Sequence, residues 1–332
     1  MNMKRKWVHM LLALAGLAGC AGAAAQSAAP AAAASAASAA ATAAPAAGQG
    51  SEYTAKGADT CLGCHDDESA TYSAAAIFKG KHAHRGDKRA PFGAGGLQCE
   101  ACHGPGAAPA RNKKATSINS LKADSHTAEE RNQPCIGCHQ SSTRIGWHAG
   151  AHERGGVACA DCHKVHQERD PMLVKTSEAE VCFTCHRQRR ADFQKPSSHP
   201  VRQGLMGCSD CHSPHGSTTA AMLIKPTLNQ TCFTCHAEKR GPMLWEHAPV
   251  AEDCSLCHSA HGSLRKALLT KSPPLLCQQC HSAADHPSAA RTSQSLPGGS
   301  AGGSIFLAAG GCINCHSQVH GSNHPAGAKL MR

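Results

Sequence analysis

The chain has 332 residues, 21 of them cysteine and 24 histidine, while Phe, Trp and Tyr together make up 3%. Its 41% of hydrophobic residues is mostly alanine, which excludes the Leu-, Ile- and Phe-rich core that a domain of this length normally buries. The formal net charge of +10 would ordinarily point to nucleic acid or an anionic surface, so it needs another use before those partners are set aside.

In chain order, Met1 to Gly19 reads as an export signal. Lys4, Arg5 and Lys6 form its basic start and Val8 to Leu17 its apolar stretch, too short to span a membrane. Two cleavage sites compete. Leu17-Ala18-Gly19-Cys20 has the form of a lipoprotein box, giving a signal over 1–20 and a lipid on Cys20. Ala23-Ala24-Ala25 before Gln26 suits ordinary signal peptidase, which would discard Cys20. Cys20 stands where a lipid would need it and is the only cysteine outside the motifs that follow, which favours the first site. Either way the protein is exported to the periplasm, and a lipid on Cys20 would associate it with the outer membrane. Residues 21–50 are almost all Ala, Ser, Thr, Pro, Gly and Gln, with Pro30 and Pro45 interrupting any alanine helix; they read as a tether.

The other 20 cysteines form ten Cys-x-x-Cys-His motifs. They are Cys61 and Cys64 with His65, Cys99 and Cys102 with His103, Cys135 and Cys138 with His139, Cys159 and Cys162 with His163, and Cys182 and Cys185 with His186. The second five are Cys208 and Cys211 with His212, Cys232 and Cys235 with His236, Cys254 and Cys257 with His258, Cys277 and Cys280 with His281, and Cys312 and Cys315 with His316. Each is the attachment signature of a c-type haem: two thiols add to the porphyrin vinyls and the adjoining His falls under the iron. A zinc finger would not require His after every CxxC. A disulfide scaffold would not repeat one spacing ten times. Ten covalently bound haems then replace the side-chain core, which predicts a multihaem cytochrome c made mostly of loops and short α-helices with little or no sheet. Their propionates use the positive charge, so no nucleic-acid partner is expected.

The body is repetitive. Its unit is CxxCH, two residues, His, a gap, a second CxxCH and another His. Clear copies begin at Cys159, Cys208 and Cys254, spaced 49 and 46 residues apart, and a degraded copy begins at Cys99, with Gly104-Pro105-Gly106 in place of the nearby His. Cys61 and Cys312 open the terminal motifs. A steady rise per unit predicts haems at regular intervals along an elongated wire.

Thirteen histidines outside the motifs and the signal are available for ten irons. His166, His215 and His261 lie three residues past a motif His and His320 four. His152 and His199 each lie 13 past one, and His247 and His286 hold the same place in later units. These eight, with His82 and His324, complete ten sixth ligands. His84, His126 and His148 are left as solvated or supporting groups, although His82 and His84 are hard to separate. A surplus of His gives no reason for an open iron, and no catalytic residue is assigned. The reading is an electron-transfer protein with bis-His irons; the alternatives are a periplasmic shuttle feeding a separate reductase, or a multihaem reductase with one open haem.

Several stretches closely resemble the MtrA/DmsE family of decahaem cytochromes. They are Leu97 to Pro105 (LQCEACHGP), Ser209 to Gly216 (SDCHSPHG), His236 to Pro242 (HAEKRGP), Leu244 to Pro249 (LWEHAP) and Cys312 to Pro325 (CINCHSQVHGSNHP). The resemblance covers residues 51–332. It implies two pentahaem halves, 51–200 and 201–332, and bis-His ligation along a haem chain. It also implies insertion into an outer-membrane β-barrel porin, an extracellular multihaem cytochrome or reductase at the far end, and a periplasmic or inner-membrane electron donor at the near end. The lipoprotein box and tether depart from that family, whose members are described as soluble periplasmic proteins.

Overall fold

A computed structural model describes residues 52–66, 73–112, 118–122, 124, 126–141, 144–281 and 311–331, all within one compact unit, 42–332. The signal, Cys20, the tether and His286 lie outside the described residues. Within them the chain is loops and short helices. The longest α-helices, Ala128–Ile136 and Lys175–Phe183, have nine residues each. β-structure among the described residues amounts to four isolated antiparallel bridges, Ser197–Ser263, His212–Leu223, Trp245–Ser322 and His258–Leu269. No described helix is long and apolar enough to cross a membrane.

The apolar core is as small as the composition requires. One cluster joins Ala179, Phe183, Phe193 and Val201, with Met206 and Cys208 against it. No large side chain among the described residues is completely buried. Such a core cannot offset the conformational entropy of ordering the described residues. Backbone and polar bonds take over part of the work, and they do so at the motifs.

Every motif is one closed helical turn. The N–H of each motif His donates to the carbonyl of its first Cys, at 2.8–3.0 Å, in all ten copies. This i to i−4 bond sets both thiols and the imidazole on one short arc. The first, third, fifth, seventh and ninth motifs begin on helices, Ala58–Leu62, Ala128–Ile136, Lys175–Phe183, Leu228–Cys232 and Pro273–Cys277. The even-numbered motifs sit on a single turn: Glu100–His103, Cys159–Cys162, Cys208–Asp210, Cys254–Leu256 and Cys312–Asn314. Local chemistry starts the helices. Thr127 and Glu130 form a reciprocal capping box before the Cys135 helix, and the Thr227 hydroxyl accepts the Gln230 N–H before the Cys232 helix.

Polar side chains, three of them buried, tie four of the odd motifs to the next even one. Asn132 accepts the Cys159 N–H at 2.7 Å, and Asn229 the Cys254 N–H at 2.8 Å. Glu178 accepts the Ser209 N–H at 2.7 Å, and Gln98 the Ala58 N–H at 2.6 Å. Buried Glu100 accepts from the backbone and hydroxyl of Thr54 and from the Gly106 N–H (2.7–3.2 Å). A buried carboxylate is tolerated only when its oxygens are occupied in this way. At the loop crossings the backbones touch. A Cβ on Gly216, whose φ is +106°, would lie 2.0 Å from the Gly146 carbonyl oxygen, and one on Gly262 (φ +147°) 2.1 Å from that of Asp192. Both glycines directly follow a histidine of the predicted ligand set, so their bareness lets that loop bed onto an earlier one.

Candidate metal centres

Eight motif histidines each face one histidine from elsewhere in the chain. Ring centroids are 6.2 Å apart for His103 and His166, 6.1 Å for His163 and His215, 5.9 Å for His212 and His261, and 6.0 Å for His258 and His320. They are 6.0 Å apart for His139 and His82, 6.1 Å for His186 and His152, 6.4 Å for His236 and His199, and 6.1 Å for His281 and His247. Two imidazoles bound through Nε2 to one metal from opposite faces, with metal–nitrogen bonds of about 2 Å, have ring centres roughly 6 Å apart. The spacing therefore fits an iron between each pair.

The pairs follow two rules. An even motif His faces the His that follows the next even motif, so His166 turns to His103 and not to its neighbour His163. An odd motif His faces a His upstream: His82, His152, His199 or His247. The nearby His thus does not serve its own motif. Three residues reach about 10 Å at full stretch, too little to round the edge of a porphyrin to its far face. Each unit instead reaches another with its own histidine.

Hydrogen bonds aim the rings. Nδ1 of His103, His212, His258 and His316 meets the carbonyls of Asn119, Ala221, Ala267 and Lys329 at 2.7–2.8 Å. Nδ1 of His152, His199 and His247 meets those of Pro214, Ala260 and Val319 at 2.8–2.9 Å, and that of His166 the carbonyl of Ala74 at 3.3 Å. A proton held at Nδ1 leaves the Nε2 lone pair for a metal. Ala221 and Ala267 adopt φ of 55° and 53°, the left-handed region that costs an alanine roughly 1–2 kcal/mol, and each is followed by a second such residue, Met222 and Leu268. The strained turn is what delivers the carbonyl to the ring. His163 differs, with Nδ1 on the carboxylate of Asp170 at 2.6 Å. At His261 the Nδ1 neighbour is the Arg189 guanidinium, 3.1 Å away, itself paired to buried Asp192 at 2.8 Å. Burial pushes His139, His166, His215, His261 and His320 below the usual imidazole range, which favours the neutral, ligating form.

The remaining predicted ligands are placed differently. No imidazole faces His65 among the described residues. His324 is exposed and is brought to no motif histidine: its Nδ1 accepts the Ala326 N–H at 3.1 Å. Closeness in sequence to the last motif suggested His324; the turn through Ala326 takes it elsewhere. Of the two rivals near residue 83, His82 meets His139, whereas His84 is exposed and meets no motif ring. Exposed His148 bonds Glu153 at 3.0 Å, and His126 lies 3.9 Å from Glu130.

The motif cysteines meet in alternation. The first cysteines act on one another in pairs: Cys99 on Cys61, Cys159 on Cys135, Cys208 on Cys182, Cys254 on Cys232 and Cys312 on Cys277. Hydrogen bonding to Cys159 and burial raise Cys135, while the Cys99 thiol lowers Cys61 to about 7. Among the second cysteines, Cys138 helps to raise Cys102, Cys185 to raise Cys162, Cys235 to raise Cys211 and Cys280 to raise Cys257, each after burial. Consecutive motifs are thus joined in order from the first to the tenth. Glu178, Cys182 and Cys208 lie within 4.8 Å of one another, but two sulfurs consumed as thioethers leave no thiolate set for a cation.

Among the described residues, three buried donors have no partner: Arg131 Nε, Arg144 Nε and Trp147 Nε1. All three flank the Cys135 motif, and the Trp147 ring lies 6.3 Å from His215. An orphaned buried donor is costly, and the propionates of a haem are acceptors of the right charge. The residues present therefore fit the group. Sequence reading did not find these donors, nor Asp170, Asn132, Glu178 or Asn229; the repeated Asn three residues before Cys135 and Cys232 was the available signal.

The chain is 45% identical over 280 residues to the multiheme cytochrome MtrA of Shewanella baltica, an alignment covering 84% of this chain and 83% of that protein. It belongs to the MtrA family of multihaem cytochromes. The cytochrome carries covalently bound c-type haems and transfers electrons. The doubled CXXCH motif family matches residues 199–241 and 247–286, and the NrfB-like family of c-type cytochrome proteins matches residues 99–181. The cytochrome c-type protein NrfB of Escherichia coli O6:H1 is 25% identical over 146 residues, covering 42% of this chain and 72% of that protein.

Proposed function

We propose that the chain holds ten haems in a single row and passes electrons along it across the outer membrane, inside a β-barrel porin. The observation that carries the reading is the set of eight facing histidine pairs, each bringing a motif His to a His from another segment of the chain. When bound, each haem supplies an iron that exchanges one electron with its neighbour. The protein's part is to hold the rings close, fix both axial imidazoles and set each iron's surroundings. The eight facing pairs are the proposed bis-His sets. His286, which follows the ninth motif as His247 follows the seventh, has no eleventh motif to serve and is assigned to His316; His324 is left out of the set.

The cytochrome is read as exported to the periplasm and held at the outer membrane by a lipid on Cys20. Halves at 51–200 and 201–332 carry five haems each. A periplasmic or inner-membrane partner faces one end and an extracellular multihaem cytochrome or reductase the other. The test is gentle detergent extraction of outer membranes and native purification on the haem absorbance. A β-barrel travelling with the cytochrome at about one to one is the expected result. Release of the cytochrome alone by osmotic shock would overturn both anchor and conduit and leave a periplasmic shuttle.

A further inference from the structure

Three copies of one repeat treat their motif histidine differently. In the copies beginning at Cys208 and Cys254, Nδ1 meets a backbone carbonyl nine residues on, Ala221 for His212 and Ala267 for His258, both at 2.7 Å. In the copy beginning at Cys159 the loop places Asp170 Oδ2 2.6 Å from Nδ1 of His163. The carboxylate is held from behind, because Oδ1 accepts the N–H of Lys164 at 3.2 Å and that of Met172 at 3.1 Å. The Asp170 side chain is 14% exposed, and among the described residues its one ion-pair partner is His163. Lys164 does not neutralise it: its Nζ reaches the carbonyls of Ala160 and Asp161 instead. The carboxylate of Glu238 also approaches a motif ring, His236, but at 3.9 Å and with both side chains exposed.

We infer that Asp170 is a tuning residue that draws the Nδ1 proton of His163, makes that imidazole a more anionic ligand and so favours the ferric state of the iron it holds. A carbonyl offers Nδ1 a dipole, whereas a desolvated carboxylate offers a full negative charge through a short hydrogen bond, which raises ligand basicity. The hydrogen bonding of an axial ligand is one of the levers on a haem potential. Arg144 works the other way from the far ligand, His215, but it is shared with His139 and reaches neither ring through a described hydrogen bond. The fourth centre of the row therefore lies at the low-potential end of the ten. Its two counterparts in the repeat, held by His212 and His258, do not. The inference rests on the proposed iron pair His163 and His215.

The test uses the full-length holoprotein, its haem content verified, in a potentiometric titration followed by absorbance and by electron paramagnetic resonance. Asp170→Asn keeps an oxygen for the Lys164 and Met172 N–H groups while removing the charge. The expected result is that one haem of the set leaves the low-potential edge. At fixed potential its oxidised-to-reduced ratio falls about tenfold, equal to about 59 mV for a one-electron couple, and one low-spin ferric signal shifts. Asp170→Ser, which keeps a cap for the Met172 N–H, gives the same shift and serves if the amide variant fails to assemble. His215→Met separates the failures, because a Met/His iron titrates higher. If His215→Met moves one haem and neither Asp170 variant does, Asp170 tunes nothing and the inference falls alone. If His215→Met also leaves every haem in place, the iron pair is wrong and the inference falls with it.

Discussion

The loop after His163 and the loops after His212 and His258 occupy the same place in a repeat, yet they orient the motif ring by opposite means. The later loops bend two consecutive non-glycine residues into the left-handed region to bring a neutral carbonyl to Nδ1. The earlier loop avoids that strain and brings a carboxylate. Repetition therefore conserves the ligand and its direction but not its charge. Equal spacing of motifs does not make equal centres.

The comparison breaks most visibly at the ligands. His215→Ala should expose one iron, giving one high-spin, cyanide-binding haem per chain, read by absorbance and cyanide titration. The affected haem is that of His163, not the adjacent His212. A parent-like spectrum would remove His215 from the ligand set. Next in size is the crossing that seats this ligand. Gly216→Val meets the Gly146 carbonyl and loses the positive φ that only glycine adopts freely, a cost of about 1–3 kcal/mol for the backbone alone. Gly156→Ala, also at positive φ but in open space, should cost about 1 kcal/mol. Thermal unfolding of the two holoproteins gives the difference, and equal melting points would show that the crossing is not tight.

How much of this was legible before the structure depends on whether a residue announces its chemistry. All motif cysteines and histidines, and the eight facing histidines, are marked by type and spacing. The scarcity of large side chains foretold a fold of loops and single turns. Partner choice was not legible, because it is decided by which loops cross, and a His three residues past a motif looks as if it belongs there. His324 is the reverse case: it is near Cys312 in sequence, but its turn through Ala326 brings it to no motif ring. Asp170 looked like one more polar loop residue. What sets it apart is a hydrogen bond, and the sequence hint was only that its copy lacks the Ala-Met or Ala-Leu turn.

Smaller effects sharpen the comparison of odd and even motifs. Asn132→Ala and Asn229→Ala each leave the N–H of the next motif's first cysteine without its acceptor, for about 1–3 kcal/mol apiece. Similar losses at the two positions, by thermal unfolding, would show that the tie between motifs is a repeated device; a loss at one alone would restrict it to that unit. Smallest is Ala267→Gly, which relieves the left-handed backbone and should raise the melting point slightly, by less than about 1 kcal/mol once the entropy of the unfolded chain is counted. A lower melting point would show that the alanine methyl contributes packing that outweighs the strain.

The central claim is that each unit receives an iron ligand from another unit. A structure of the holoprotein at a resolution that shows axial ligands tests it most directly. The account predicts that the iron bound to His163 carries His215 on its far side, and the iron bound to His103 carries His166. An iron at His163 bound instead by its neighbour His166 would contradict it.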